Sequence, residues 1–134
     1  MVYRVVIDTN VIVSALLQPL GPPARIFSWA IRGEIQLCIS EAVYAEYEEV
    51  IRRPRLRRVE AVITGSLHSI RAASLVFRPA EPVRACTDSD DNIFLECAQA
   101  AEAAYLVTGN LKHFPSVWLD TQIVSPRHFL DINQ

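Results

Sequence analysis

Short apolar runs alternate with longer segments of helical period along most of the chain. The first run, residues 3–7, is apolar almost throughout and rich in β-branched side chains, as expected for a strand that is covered on both faces. This alternation is typical of an α/β domain with a mainly parallel sheet. We expect further strands near residues 35–39, 75–77, 105–108 and 123–124, and helices near residues 11–17, 24–31, 41–52, 56–73 (one or two) and 92–103.

Length and composition narrow the class of protein. The chain has 134 residues, of which 51% are hydrophobic and 21% charged, so we expect one domain over residues 1–134 with its own core. Its apolar runs are far shorter than the ~20 residues that cross a bilayer, and no leader-like segment precedes the first strand. The expected location is therefore the cytoplasm, without a membrane partner. Three scattered cysteines favour neither a disulfide framework nor a zinc site, and a net charge of −2 gives no general sign of nucleic-acid binding.

Polar residues follow two of the predicted strands. Asp8 ends the first strand, and Thr108, Gly109 and Asn110 end the fourth. Ligands of open α/β sheets bind outside the carboxyl ends of the strands, which makes these positions candidates for chemistry. A structural alternative is equally open, because Asp8 or Asn10 can cap the helix that follows.

A glutamate in the helix after the second strand projects towards the apolar side of that helix. Ser40 is a suitable N-cap, and Glu46 is flanked by Val43 and Val50 at i−3 and i+4. A carboxylate beside a buried face has to be paired or bound to a cation, since an isolated buried charge is very costly. The alternative is a salt bridge to one of the arginines that follow. The other glutamates of this helix are expected on its solvent side: Glu41, Glu48 and Glu49.

Three aspartates stand at the head of the helix predicted near residue 92. The helix dipole favours negative charge there, so part of the cluster needs no functional explanation, and Asp88 is the expected N-cap. Asp91 precedes Phe94 and Leu95 by three and four residues, so it heads the inward stripe of the helix. We expect its carboxylate to point towards the sheet.

Asp8, Glu46 and Asp91 come from three distant segments and are predicted to converge at one edge of the sheet. Like charges this close repel each other unless a cation neutralises them. Oxygen ligands with few histidines nearby suit Mg²⁺ or Mn²⁺ rather than zinc. Such a site can lower the pKa of a bound water and hold a phosphodiester for in-line attack. Phosphodiester hydrolysis is therefore the predicted chemistry.

Five arginines lie within the seven residues that follow the Glu46 helix. Arginine pairs bidentately with phosphate, and Lys112 and His113 lie where they could reach a phosphate as well. The alternative is a solvated helix end, because cations also suit a helix carboxyl terminus. The candidate nucleic-acid residues are Arg52, Arg53, Arg55, Arg57, Arg58 and Lys112.

Four motifs occur in order along nearly the whole chain. They are residues 5–11 around Asp8, Ser40-Glu41 leading to Glu46 and the arginines, residues 88–92, and residues 105–110. Together they resemble the PIN-domain ribonucleases, in particular the toxin components of bacterial and archaeal toxin–antitoxin pairs. The resemblance implies a three-layer α/β/α sandwich around a mainly parallel sheet of about five strands. It also implies an endoribonuclease that depends on Mg²⁺ or Mn²⁺.

The resemblance also implies roles for single residues and partners. Asp8, Glu46 and Asp91 match the family's three central acids, which bind metal and activate the attacking water. Many members have a fourth acid where this chain has Asn110, whose neutral amide can orient water or contact a metal. Asp88, and Asp90 beside it, could supply the missing negative charge from the neighbouring helix end. The implied partners are an RNA substrate, a second copy in a homodimer and a small antitoxin protein.

Two other classes share parts of this pattern. A phosphoacceptor signalling domain also has acids and a threonine at the strand ends of a parallel sheet, but needs adjacent acids after the first strand and a lysine after the last. Here Thr9 and Asn10 follow Asp8, and Lys112 is the only lysine. A non-catalytic PIN-like module that binds RNA or protein is the second class. The three acids argue against it, and Asn110 argues for it.

Overall fold

A computed structural model describes residues 2–56 and 59–134, which form six strands and six helices. The strands are β1 (Arg4–Ile7), β2 (Gln36–Ile39), β3 (Ser74–Val76), β4 (Tyr105–Val107), β5 (Val117–Trp118) and β6 (Thr121–Val124). The helices are α1 (Thr9–Leu17), α2 (Pro22–Ile31), α3 (Glu41–Ile51), α4 (Glu60–Ala73), α5 (Asn92–Ala101) and α6 (Pro126–Asn133).

Strands β1 and β4 lie side by side in the middle of the sheet. The strand order is β3-β2-β1-β4-β6-β5, and every pair is parallel except β5 with β6. The chain builds outward from β1 to β3 and then returns to the other side of β1, so the topological switch point lies between β1 and β4. Ile7 is in register with Val107, and the residues that follow, Asp8 and Thr108, are therefore neighbours.

Helices cover both faces of this sheet. Successive strand residues point to opposite faces, yet Val5, Val6 and Ile7 are all fully buried. Tyr47 of α3 and Phe94 of α5 are among the largest side chains in the same core. The predicted α/β/α sandwich is confirmed, with five parallel strands and the two-residue antiparallel strand β5 at one edge. No helix in the described part of the chain is long and apolar enough to cross a membrane.

The predicted elements are present, with differences at their ends. The N-cap at Ser40 is confirmed, since its hydroxyl accepts a hydrogen bond from the backbone N–H of Val43 at 3.1 Å. The segment predicted at 56–73 is a 3-10 turn at Pro54–Leu56 and then α4. Helix α5 ends at Ala101 rather than near 103, because Glu102 adopts a left-handed conformation with φ of 50°. Four of the described elements were not predicted: β5, α6 and the 3-10 turns Ser89–Asp91 and Leu111–His113.

Candidate active site

Asp8 is a buried carboxylate at the carboxyl end of β1. Only 5% of the residue is exposed, and its backbone N–H donates to the carbonyl of Val107 at 2.9 Å. Its Oδ2 atom accepts hydrogen bonds from the Thr108 hydroxyl at 2.7 Å and from the Asn10 amide at 3.3 Å. Asp8 stands at the N-cap position of α1, but its side chain makes no capping hydrogen bond. Asn10 lies inside α1, so neither residue caps this helix through its side chain.

Glu46 connects helix α3 to the residue that follows Asp8. Its half-buried carboxylate accepts a hydrogen bond from the Thr9 hydroxyl. The next residue of α3, Tyr47, is fully buried, and its hydroxyl donates to the backbone carbonyl of Ile7. Among the described residues no arginine or lysine forms an ion pair with Glu46, so the salt-bridge alternative is not found there. Two consecutive residues of α3 thus bind the end of β1 and the start of α1.

Asp91 closes a 3-10 turn, Ser89–Asp91, that leads into α5. Asp88 precedes this turn and caps it, since its carboxylate accepts a hydrogen bond from the backbone N–H of Asp90 at 3.0 Å. The Asp91 side chain is 18% exposed, and its Oδ2 lies 3.2 Å from Nδ1 of His113. An ionised carboxylate can only accept hydrogen bonds, so the imidazole N–H is the donor.

The three carboxylates act on one another through space. Burial raises the pKa of Asp8. The Thr108 hydrogen bond lowers this pKa, and the charges of Asp91 and Glu46 raise it further. The pKa of Asp8 is therefore about 6 instead of 3.8. Burial also raises the pKa of Glu46, and the charge of Asp91 adds to the rise. The pKa of Asp91 is raised in turn, first by burial. The acids predicted to converge therefore share one electrostatic neighbourhood.

This donor set fits a hard divalent cation. Carboxylates with raised pKa values gain from a nearby positive charge, and oxygen ligands suit Mg²⁺ or Mn²⁺. Within residues 2–56 and 59–134, no three acidic, histidine or cysteine side chains lie close enough together to hold an ion as they stand. Each acid is instead hydrogen-bonded to a donor of the protein: Asp8 to Thr108 and Asn10, Glu46 to Thr9, and Asp91 to His113. A bound cation would have to share the carboxylates with these donors.

Asn110 and Lys112 lie in the exposed turn that follows β4. The backbone N–H of Asn110 donates to the Thr108 hydroxyl oxygen at 2.9 Å, which ties the turn to the residue that holds Asp8. No hydrogen bond joins the Asn110 side chain to an acid in the described part of the chain. Asn110, Lys112 and His113 help to line an open cavity of about 390 Å³.

The predicted nucleic-acid arginines are only partly described. Arg52 pairs with Glu60 at 2.8 Å and with Glu48 at 3.5 Å, and Arg53 pairs with Glu49 at 2.8 Å. All five side chains are exposed, so these ion pairs are open to exchange with solvent or with a phosphate. Arg57, Arg58 and the side chain of Arg55 lie outside the described residues.

Thr9 and Asn10 contact Glu46 and Asp8, and no role in the site was predicted for them apart from the capping alternative for Asn10. Thr108 was a candidate through its place at a strand end and His113 as a residue that could reach a phosphate, but their contacts with Asp8 and Asp91 were not predicted. The position of Thr108 after a strand was a usable signal, since parallel strands end at the same edge of a sheet. The contact of His113 with Asp91 had no such signal, because it depends on the 3-10 turn Leu111–His113.

The order of the strands, with Asp8, Glu46 and Asp91 near the switch point, defines a PIN-like α/β protein. A family model described as "PIN domain" matches residues 4–112, and the chain belongs to the PIN domain family, whose members are generally nucleases. It is similar to Uncharacterized protein MJ1680 of Methanocaldococcus jannaschii, with 32% identity over 110 residues, which cover 80% of this chain and 70% of that protein.

Two solved structures share the fold. The crystal structure of PAE2754 from Pyrobaculum aerophilum superposes with a TM-score of 0.61 at 18% identity, over 98% of this chain and 88% of that one. The structure of FitAB bound to the IR36 DNA fragment superposes with a TM-score of 0.58 at 17% identity, over 91% of this chain and 94% of that one. At these identities the likeness concerns the fold.

Proposed function

We propose that this protein is an endoribonuclease that depends on Mg²⁺ or Mn²⁺ and hydrolyses phosphodiester bonds of RNA. The observation that carries the proposal is the group of three mutually repelling carboxylates, Asp8, Glu46 and Asp91, at the switch point of a PIN fold. Carboxylates in this position are otherwise unfavourable, since each has a raised pKa in the metal-free protein. A bound cation relieves the repulsion among the three carboxylates, and this relief favours its binding.

Each residue has a distinct part in the proposed reaction. Asp8, Glu46 and Asp91 would hold the cation, while Thr108 and Asn10 keep Oδ2 of Asp8 in place. A bound Mg²⁺ or Mn²⁺ supplies a more acidic water and charge neutralisation for the phosphodiester. Asn110 orients a water or the substrate from the turn after β4, and Lys112 binds a phosphate in the adjoining cavity. Asp88 adds negative charge near Asp91, although its carboxylate is already used as a cap.

We also propose that the protein is the toxin of a toxin–antitoxin pair, that it works as a homodimer in the cytoplasm, and that a small antitoxin protein inhibits it. The sequence resemblance supports this role. FitAB, which shares the fold, was solved with a DNA fragment, in line with nucleic acid as a partner of this fold.

Light scattering tests the dimer. Co-expression with the neighbouring gene, followed by RNA cleavage with and without its product, tests the antitoxin, and full cleavage activity of that complex would contradict it.

RNA cleavage by purified protein is the direct test of the nuclease. Mixed-sequence single-stranded RNA and DNA of the same sequence are incubated with Mn²⁺, with Mg²⁺ or with a chelator. Asp8→Asn and Asp91→Asn are run in parallel, since each removes a charge with little change in volume. Asp120→Asn is the matched control, because Asp120 is exposed and precedes β6 at the opposite edge of the sheet.

Metal-dependent cleavage of RNA that is lost in Asp8→Asn and Asp91→Asn, and kept in Asp120→Asn, is the expected result. Equal cleavage by the wild type and both site variants would contradict the assignment. Binding of RNA and Mn²⁺ without cleavage would favour the non-catalytic module. The neutral Asn110, in place of the fourth acid, also favours that module.

A further inference from the structure

His113 connects the turn after β4 to the segment that carries Asp88 and Asp91. Its imidazole donates to Oδ2 of Asp91 at 3.2 Å, and its backbone carbonyl accepts a hydrogen bond from the N–H of Thr87 at 3.1 Å. Its own N–H donates to the carbonyl of Asn110 at 2.9 Å. One residue of the turn after β4 is therefore bonded to both ends of the segment that carries Asp88 and Asp91.

The Asp91 carboxylate stands among like charges and depends on one side-chain partner. It is the last residue of a three-residue 3-10 turn, and its nearest charged neighbours in sequence are Asp88 and Asp90, which repel it. In the described part of the chain, His113 is the one side chain that is hydrogen-bonded to the Asp91 carboxylate. The charges of Asp8 and Glu46 also repel the Asp91 carboxylate, and the hydrogen bond to His113 opposes this repulsion.

We propose that His113 is a positioning residue that fixes the orientation of the Asp91 carboxylate for cation binding. Donors behind a metal-binding carboxylate orient it, and their loss typically lowers metal affinity by about 10- to 100-fold. This inference rests on the proposed function. It adds a residue outside the predicted acids, one that belongs to the same turn as Asn110 and Lys112.

Two variants with a side-chain amide test whether the hydrogen bond to Asp91 is the part of His113 that matters. His113→Asn keeps an N–H donor two bonds from Cβ, as in Nδ1 of histidine. His113→Gln moves the donor one bond farther out, to the distance of Nε2. The His113 side chain is 43% exposed, so both variants are expected to fold, which thermal unfolding without metal checks.

Mn²⁺ binding is measured on the purified protein from the loss of the free-ion electron paramagnetic resonance signal. We expect His113→Asn to bind Mn²⁺ within about threefold of the wild type, and His113→Gln to bind it about tenfold or more weakly. At saturating Mn²⁺ the kcat for RNA cleavage by His113→Gln should return to the wild-type value, because the defect lies in holding the cation. Asp91→Asn and Asp120→Asn serve as the positive and negative controls.

Each other outcome has a definite meaning. If Asp91→Asn loses Mn²⁺ binding while His113→Gln keeps wild-type affinity, the positioning role is overturned and the proposed function stands. If His113→Gln has unchanged Mn²⁺ affinity but a raised KM for RNA, His113 binds substrate instead. If the wild type and Asp91→Asn bind Mn²⁺ equally, the proposed metal site fails, and the inference about His113 fails with it.

Discussion

The hydroxyl of Thr108 donates a hydrogen bond of 2.7 Å to Oδ2 of Asp8, although 100 positions separate the two residues. The parallel register of β1 and β4 brings them together, since Ile7 pairs with Val107 immediately before them. Thr108 is fully buried, and its hydroxyl oxygen also accepts a hydrogen bond from the backbone N–H of Asn110. One side chain therefore links the first acid of the site to the turn that carries Asn110.

Thr108→Val is expected to destabilise the metal-free protein by about 1–3 kcal/mol at pH 7.5, because it leaves the Asn110 N–H and the Asp8 carboxylate without this partner. The pKa of Asp8 should rise further, since the Thr108 hydrogen bond lowers it. Urea unfolding and carboxyl ¹³C chemical shifts measure the two effects. Thr108→Ser keeps the hydroxyl and should keep the pKa. Equal Asp8 pKa values in the valine and serine variants would contradict the role given to this bond.

The stability of the metal-free protein should fall as the pH rises from about 4 to about 6. The pKa of Asp8 is near 3.8 in the unfolded chain and about 6 in the folded protein, so over this range the folded state holds the proton more tightly. The stabilisation from the protonated form, on the order of 3 kcal/mol, is complete below pH 3.8 and lost as the pH passes 6.

Asp8→Asn should remove this part of the pH dependence and make the metal-free protein more stable than the wild type above pH 6. Urea unfolding of both proteins between pH 4 and 8 measures the difference, with Asp120→Asn as the control. Addition of Mn²⁺ at pH 7.5 should stabilise the wild type and not Asp8→Asn. A wild-type stability that rises from pH 4 to 6 relative to Asp8→Asn would show that the pKa of Asp8 is not raised.

Tyr47→Phe tests whether the contact of α3 with β1 sets the position of Glu46. The Tyr47 hydroxyl is buried and donates to the Ile7 carbonyl, so its loss should cost about 1–2 kcal/mol in urea unfolding. Mn²⁺ affinity should fall as well, because Glu46 is the preceding residue of the same helix. Tyr44→Phe is a matched control on α3, since the Tyr44 hydroxyl donates to the Leu67 carbonyl at 3.4 Å instead. Equal Mn²⁺ affinities of the two variants would separate Tyr47 from the site.

Salt titration of RNA binding tests the arginines after α3. Replacing Arg52 and Arg53 together by glutamine should weaken binding and reduce the slope of log K against log salt by about 1–2. Replacing their partners Glu49 and Glu60 by glutamine should have the opposite effect, because it removes the 2.8 Å ion pair of each guanidinium group. Replacing the exposed residues Glu81 and Glu102 together by glutamine matches the net charge of the glutamate variant and controls for it. An unchanged slope in the arginine variant would leave these residues as the solvated end of α3.

Local patterns alone predicted most of the framework of the site. The short apolar run before Asp8 is rich in β-branched residues, which favours a strand covered on both faces and puts Asp8 at its carboxyl end. The N-cap at Ser40 and the apolar stripe of α3 likewise determined on which side Glu46 projects. Strand β5 and helix α6 were missed because two and eight residues are too short for a clear period, although Ser125 and Pro126 are a regular helix start.

Tertiary structure decided which side chains meet. The contacts of Thr108 with Asp8, and of His113 with Asp91, depend on strand register and on a 3-10 turn that join segments far apart in sequence. Each is a single directional hydrogen bond, and its formation depends on distances of a few tenths of an ångström that no local period encodes. The sequence by itself therefore determined at which edge of the sheet the three candidate acids lie, while tertiary packing determined which donor is hydrogen-bonded to each carboxylate.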